Sequence, residues 1–309
     1  MELRHLRYFV AVAEELHFGR AADRLHIAQP PLSRQIRDLE REIGAPLFER
    51  VPRGVELTAA GRAFLPEARL TLAQAERAGR AAQRAARGET GRLRVGFVEA
   101  ATYSGILPDV LGFFRLHLPN VGLSLFEMNS LQQGEAFRDD RIDVGILHNA
   151  PADADRWLHV EQVHSDPMVV ALSHAHRLAR RARVSLADLA GEPFILFPRE
   201  IAPVLYDEII SRCRAAGFSP RVVQEAIGWQ TATGLVAADV GVAFVPQSYA
   251  RHGNRTIHYR PVAKLDVDLE LFAAWKRGRQ LPVRERFITT LRAVARAVAQ
   301  TRAKPRSCK

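Results

Sequence analysis

The residues in this chain of 309 with the clearest chemical disposition are hydrogen-bond donors set at helical spacing near its start. Gln29, Ser33, Arg34, Arg37 and Arg41 fall away from a stripe formed by Leu32, Ile36, Leu39 and Ile43. Glutamine and arginine can reach base edges in a major groove, whereas a serine hydroxyl and a helix N-terminus hold phosphates and fix register. Pro30 and Pro31 suit a first helical turn, where a missing N–H costs nothing, and Gly44 suits the position just past the end. A further basic residue, Arg53, stands in the turn Val51-Pro52-Arg53-Gly54, between Leu47–Arg50 and Val55–Leu57, which read as a small hairpin.

A polar helix face is usually just solvated, so the order of the neighbouring elements decides what this one means. Leu3, Leu6, Phe9, Val10, Ala13 and Leu16 predict an amphipathic helix over 2–16. Gly19 reads as the N-cap of a short second helix, Arg20–Leu25, whose Ala21-Ala22 pair permits close helix approach. A tight turn then leads into the donor-bearing helix. Three helices followed by a hairpin make a winged helix-turn-helix over residues 1–58.

Thr58 is a fitting N-cap for a long helix, Ala59–Arg87, within a linker over 59–88. Leu65, Ala68, Leu72, Ala75, Gly79, Ala82 and Ala86 alternate spacings of three and four, the pattern of a two-helix seam. The seam predicts the same helix of a second subunit as partner, with packing on its own chain as the alternative. Pro66 should kink this helix or mark its true start.

The stretch ELRHLRYFVAVAEELHFGRAADRLHIAQPPLSRQIRDLEREIGAPLFER, followed by LTAAG, resembles the DNA-binding end of LysR-type transcriptional regulators. It is most similar to the branch that governs breakdown of aromatic acids such as benzoate, catechol and muconate. The resemblance implies a sequence-specific regulator, an activator, that binds a near-palindromic site on double-stranded DNA as a homodimer or tetramer. It implies RNA polymerase as a further partner. DNA contacts carry over to Gln29, Pro30, Ser33, Arg34 and Arg53, with Arg37 beside them on the helix face.

From Gly88 strands alternate with helices: strands at 93–98, 123–127 and 143–147, helices at 104–117 and 131–138, then a second such unit from 167 to 245. A strand at 266–275 and a closing helix at 284–300 return to the first unit. This predicts a parallel α/β sheet in two lobes, 89–161 with 267–301 and 162–266, joined by two crossings around a hinged cleft. RIDVGIL, SHAHRLA and TATGLVAADVGVAFVP look typical of the family's effector domain, which is similar in layout to periplasmic binding proteins.

A ligand is expected at the C-terminal ends of strands and at helix N-termini, where free N–H groups favour anions. Four loops qualify: Glu99–Thr102, Asn129-Ser130, His148 and Pro198–Leu205. The resemblance implies hydroxyl residues in the first two and a basic residue in the third. Ser130 matches; Ala100 and Ala101 stand where a serine is expected, with Thr102 next to them, and His148 replaces an arginine of some relatives. The expected effector site is therefore Ala101, Thr102, Ser130, His148, Arg199 and Pro203. A neutral histidine beside Glu99 holds a dicarboxylate less well than arginine and serine would, which leaves a monocarboxylate, a neutral aromatic or another metabolite open.

Enzymatic readings lack their marks. There is no H-E-x-x-H, G-x-S-x-G, G-x-G-x-x-G or P-loop pattern. His174-Ala175-His176 has no spaced partner for a metal, so neither metal nor cofactor is expected, and Cys213 and Cys308 are too few for a disulfide framework. No apolar run approaches a membrane span, the start is unlike a signal peptide, and a cytoplasmic location follows. The remaining rival is a small-molecule-binding or enzymatic α/β protein whose N-terminal helices only dimerise.

Charge adds a qualification. The chain has 44 Lys+Arg against 34 Asp+Glu, a net +10, yet residues 1–58 balance nine arginines with nine acids. Residues 276–309 hold eleven basic side chains and one acid, Glu285, so the excess sits far from the helix-turn-helix, in a closing helix and a basic tail, 302–309, read as a solvated end.

Overall fold

Apolar residues at helical spacing build the N-terminal region of the computed structural model, which describes residues 1–52, 54–250, 256–278 and 280–303. Arg53, Cys308 and the tail from 304 onward lie outside the described residues. The order is α1 (Leu3–Glu15), α2 (Phe18–Arg24), α3 (Gln29–Ile43), β1 (Phe48–Val51), β2 (Gly54–Leu57) and α4 (Ala59–Ala86). Leu32, Ile36 and Leu39 of α3 are fully buried, and Phe9 of α1 meets the rings of Phe48 and Phe64 at 5.2 and 5.0 Å. Gly44 ends α3 in the left-handed region, φ 80°, as a residue without Cβ can.

The cap of α2 differs from expectation. His17, not Gly19, is the N-cap: its Nδ1 accepts the N–H groups of Gly19 and Arg20 at 3.1 and 3.3 Å, as a serine or aspartate oxygen ordinarily would. The wing is tied at its base. Glu40 of α3 accepts the N–H groups of Leu47 and Phe48 at 2.8 and 3.1 Å. Thr58 donates to the Pro46 carbonyl and accepts from Gly61 N–H, capping α4.

α4 runs through Pro66 without ending, so that proline does not mark its start. The expected seam divides in two. Leu65, Ala68 and Leu72 pack into the core beneath α1 and α3, whereas Gly79, Ala82 and Ala86 are exposed. The alternative of packing on its own chain thus holds for the first half of the stripe.

Two compact units result, Met1–Arg84 and Ala85–Lys309. The second opens with β3 (Gly91–Phe97), α5 (Glu99–Tyr103), α6 (Ile106–His117), β4 (Val121–Glu127), α7 (Ser130–Arg138) and β5 (Val144–Leu147). Then come β6 (Leu158–Ser173), β7 (Val184–Ser185), β8 (Pro193–Leu196), α8 (Pro203–Ala215), β9 (Arg221–Glu225), α9 (Trp229–Ala237), β10 (Val242–Pro246) and α10 (Gln247–Ala250). β11 (Ile257–Ala263), β12 (Asp268–Lys276) and α11 (Pro282–Ala303) close the chain. The strand order is β4-β3-β5-β12-β6-β10-β8-β9, with β11 beside β6 and β7.

β6 is far longer than the strand expected from 167. Its first part pairs with β12, from Leu158 opposite Lys276 to Pro167 opposite Asp268, and its second part pairs with β10 and β11. Met168 N–H donates to the Val267 carbonyl at 3.0 Å, so both crossings between the lobes fall here, at 167/168 and 267/268 rather than at 161/162 and 266/267. α11 lies against the first lobe, Phe287 on Phe114 at 5.6 Å, with Arg292 paired to Glu161 and Arg277 Nε donating to the Leu158 carbonyl at 2.9 Å. The basic C-terminal segment up to Ala303 is therefore folded structure in good part. No helix among the described residues is long and apolar enough to cross a membrane.

Gly61 is where α4 abuts the wing: a Cβ there would stand 2.1 Å from the Leu47 carbonyl oxygen. Overpacking against backbone cannot relax by a rotamer change, so Gly61→Ala should destabilise the N-terminal unit by about 2 kcal/mol. Urea unfolding followed by far-ultraviolet circular dichroism checks this; an unchanged midpoint contradicts the packing described.

Candidate DNA-reading face and effector cavity

The start of α3 presents the polar residues singled out by their spacing. Gln29 is the first helical residue, and it, Pro30, Arg34 and Arg37 are exposed while Ser33 is half-buried. Arg37 Nε donates to the Ser33 carbonyl at 3.3 Å and Arg41 pairs with Asp38 at 3.1 Å, so both are partly engaged along their own helix. Arg34 has neither ion pair nor hydrogen bond among the described residues. A Cβ on Gly19 would come within 3.8 Å of Gln29 Oε1, which places the first turns of α2 and α3 side by side. A glutamine and an arginine without a partner among the described residues stand exposed on this surface. Glu14 braces it from behind by pairing with Arg24 of α2 and Arg69 of α4 at 2.9 and 2.7 Å; hydrogen bonding to Arg69 and Arg24 lowers its pKa despite some burial.

In the second unit a cavity of about 660 Å³ opens at the C-terminal ends of β3, β4 and β5 and reaches across to α9. Ser130 and His148 line it, as expected from sequence. Ser130 begins α7, capped by Asn129, and its Oγ accepts the N–H groups of His148 and Asn149 at 3.1 and 3.3 Å. The hydroxyl thereby shapes the loop after β5. His148 shares Nδ1–H with the Glu270 carbonyl at 2.9 Å, a tautomer assigned from that acceptor, which turns Nε2 into the ring's acceptor. Burial pushes its imidazole below the 6.5 of a free histidine, against a smaller opposing effect of that carbonyl.

The other four expected residues are not brought to this cavity. The segment after β3 is helical, α5, and so Glu99 and Ala100 line the space while Ala101 is fully buried and Thr102 points outward, exposed. Pro203 opens α8 and lines an adjacent cavity of about 670 Å³, which shares His148, Ala202, Leu205 and Leu269 with the first. Arg199 lies in a separate groove, its Nε and Nη2 donating to the two carboxylate oxygens of Asp207 at 2.7 and 2.6 Å.

Residues not expected complete the lining. Trp229, Gln230 and Thr231 come from the first turn of α9, and Phe197 follows β8, its ring edge-on to Trp229 at 6.0 Å. Glu99 and Glu127 add two carboxylates, and among the described residues no lysine or arginine lines the cavity. Burial raises the pKa of Glu99 and Glu127 adds to that, while hydrogen bonds from the Tyr103 hydroxyl and the Trp229 N–H oppose it. Nothing in the spacing of Trp229 within the sequence points across a cleft. Among the described residues no group of three or more His, Cys, Asp or Glu could hold a metal, and Cys213 is buried in α8, its thiol pushed up to about 11 by burial.

Residues 3–62 match the bacterial regulatory helix-turn-helix protein family, lysR, and residues 86–296 match the LysR substrate binding domain. The chain is similar to the HTH-type transcriptional regulator AlsR of Bacillus subtilis (strain 168), 44% identical over 93% of this chain and 94% of that one. It is similar also to the Hca operon transcriptional activator HcaR of Escherichia coli (strain K12), 37% identical over 93% and 96%. Among solved structures it resembles CbnR, a LysR family transcriptional regulator, with TM-score 0.83 and 33% identity over 94% of this chain and all of that one, and CbnR complexed with its target DNA, with TM-score 0.77.

The position of His148 has a consequence in acid. Because its folded-state pKa lies below 6.5, the unfolded chain takes up a proton that the folded chain resists once pH falls below that value, and stability drops there. His148→Asn, which can keep a donor to the Glu270 carbonyl, should lose less melting temperature than the parent between pH 7.5 and 5.5, roughly the range in which a free histidine titrates. Equal losses in parent and variant, read by calorimetry, would show that His148 is not buried as described.

Proposed function

Since the chain belongs to the LysR family of transcriptional regulators, a sequence-specific DNA-binding protein with an effector domain, we propose that α3 reads its operator through Gln29, Pro30, Ser33, Arg34 and Arg37, with Arg53 on the wing, and that the cavity of about 660 Å³ takes the effector. The observation that carries the DNA reading is Arg34: exposed near the start of the recognition helix and engaged by no other described residue, its guanidinium is available for a base edge or phosphate. The effector preferentially stabilises one arrangement of the two lobes, and activation follows only from that preference. The protein acts in the cytoplasm as a homodimer or tetramer, activating through RNA polymerase, with the exposed part of α4 as part of the subunit contact.

Of the aromatic-acid reading, the cavity supports the ring more than the acid. Phe197 and Trp229 offer faces and edges to an aromatic or other apolar body, whereas the lining lacks a cation for a carboxylate. The domain assignment proposed is a DNA-binding head over 1–58, a linker helix over 59–88 and a regulatory domain over 89–301.

Footprinting on the promoter region beside the protein's own gene tests this. A protected, near-palindromic site is expected, and Arg34→Ala should weaken its binding by about 1–3 kcal/mol, a factor of roughly 5 to 150, while leaving the fold intact. Absence of protection at every concentration, or full affinity in the variant, contradicts the assignment.

A further inference from the structure

The chain itself places groups of its own at the two positions in the cavity where a ligand anion would settle. A helix N-terminus attracts negative charge because its N–H groups lack partners, and the start of α9 faces the cavity. There the chain supplies a carboxylate of its own: Glu99 Oε2 lies 3.7 Å from where a Cβ on Gly228, the N-cap of α9, would stand. At the start of α7 the hydroxyl of Ser130 accepts the N–H groups of His148 and Asn149, so these two backbone donors are spent within the protein while the Ser130 O–H remains to donate. His148 is held neutral by burial, and the nearest candidate cation in the sequence, Arg199, is paired to Asp207 in another groove. Glu127 adds a second negative charge at the C-terminal end of β4.

Resting on the reading of this cavity as the effector site, we propose that its ligand carries no negative charge and meets Glu99 with a hydrogen-bond donor, a hydroxyl or an ammonium, borne on an apolar body seated against Phe197 and Trp229. Glu99 is the specificity residue. Its carboxylate is oriented by Tyr103 and the Trp229 N–H, and the acceptor capacity they leave is open to a donor from the ligand. A donor gains a charge-assisted hydrogen bond there, whereas a carboxylate meets like charge in a partly desolvated space with no basic side chain to offset it. His148 Nε2, an acceptor in the neutral tautomer fixed by Glu270, favours donors as well. The apolar lining supplies affinity without charge, and the volume of about 660 Å³ is in the range of small-molecule sites.

The test uses the full-length protein and matched probes: benzylamine, benzyl alcohol and benzoate, with butylamine, butanol and butyrate as an aliphatic series. Calorimetric titration at millimolar concentrations should rank at least one donor probe about tenfold or more above the carboxylate of its series. Amine above alcohol identifies a cationic ligand, and alcohol above amine a neutral one; both support the proposal. Glu99→Gln keeps an oxygen to accept from Tyr103 and Trp229 but removes the charge, and should narrow or invert the gap between alcohol and carboxylate. An unchanged melting temperature of the unliganded variant establishes that it folds, with Glu127→Gln as a comparison expected to act more weakly because that side chain is exposed. A carboxylate that binds most tightly to the parent, binding of no probe at all, or a gap that Glu99→Gln leaves untouched overturns the proposal. Operator footprinting run in parallel separates this from failure of the regulator assignment, because DNA protection does not depend on which probe the cavity accepts.

Discussion

The regulatory unit depends on one strand that belongs to both lobes. β6 pairs with β12 as far as Pro167 and with β10 and β11 from Met168 onward, and at the change of partner Met168 N–H donates to the Val267 carbonyl on the returning chain. The lobes are thus joined through two adjacent backbone crossings. Beside them Asp166, only 2% exposed, accepts the N–H of Ser248 with both carboxylate oxygens at 3.2 and 3.1 Å, tying α10 to the crossing. A junction of two paired strands resists stretching and shear but permits bending where the hydrogen-bonding partner changes. The cavity lies where such bending would alter its width, since its lining comes from β4, α5 and α7 on one side and from α9 and the segment after β8 on the other.

Much of this architecture is legible in the sequence because it follows from periodicity. The Leu32, Ile36 and Leu39 stripe, Pro30 and Pro31 in a first turn, and Gly44 beyond the last determine α3 almost to the residue, and alternating strands and helices after Gly88 give the α/β class. What escapes is decided by tertiary partners. His17 caps α2 because its ring can fold back on the helix start, a role that composition assigns to smaller polar residues. The length of β6 is hidden because Leu158–Pro167 is rich in polar residues, among them His159, Glu161 and Gln162, whose strand character comes from the β12 ladder.

The site was half legible for a related reason. Ser130 and His148 could be placed because each follows a clear strand, and the space beyond a parallel strand's C-terminal end is where ligands collect. The first loop misled because five residues, Glu99–Tyr103, coil into α5; one helical turn exchanges which side chains face the cavity, bringing Glu99 inward and sending Thr102 out. Arg199 looked like an anion ligand in isolation, but Asp207, one turn into α8, is within reach of its guanidinium and claims it. Trp229 and Phe197 come from the far lobe, and only the sheet order brings them opposite Glu99.

Charge follows the same logic of commitment. Net charge says how strongly a protein attracts polyanions at a distance, not which side chains make contact. Among the described residues part of the C-terminal excess is engaged: Arg284 is 4% exposed and donates to the Lys276 carbonyl at 3.3 Å, and Arg292 binds Glu161 and lies 5.9 Å from the Trp275 ring centroid. The balanced segment 1–58 instead spends two of its acids on bracing, Glu14 on Arg24 and Arg69 and Glu40 on the wing, and leaves Arg34 without a partner among the described residues. An uncommitted guanidinium on an exposed helix face is better placed for recognition than a larger pool of paired ones. Paired arginines must break an existing hydrogen bond to make a new one, so their net gain from a base or phosphate is smaller by that loss. The effector cavity is the inverse case. Its carboxylate Glu99 lines the space with no lysine or arginine beside it among the described residues, so there the uncommitted charge is an acid where on α3 it is a base.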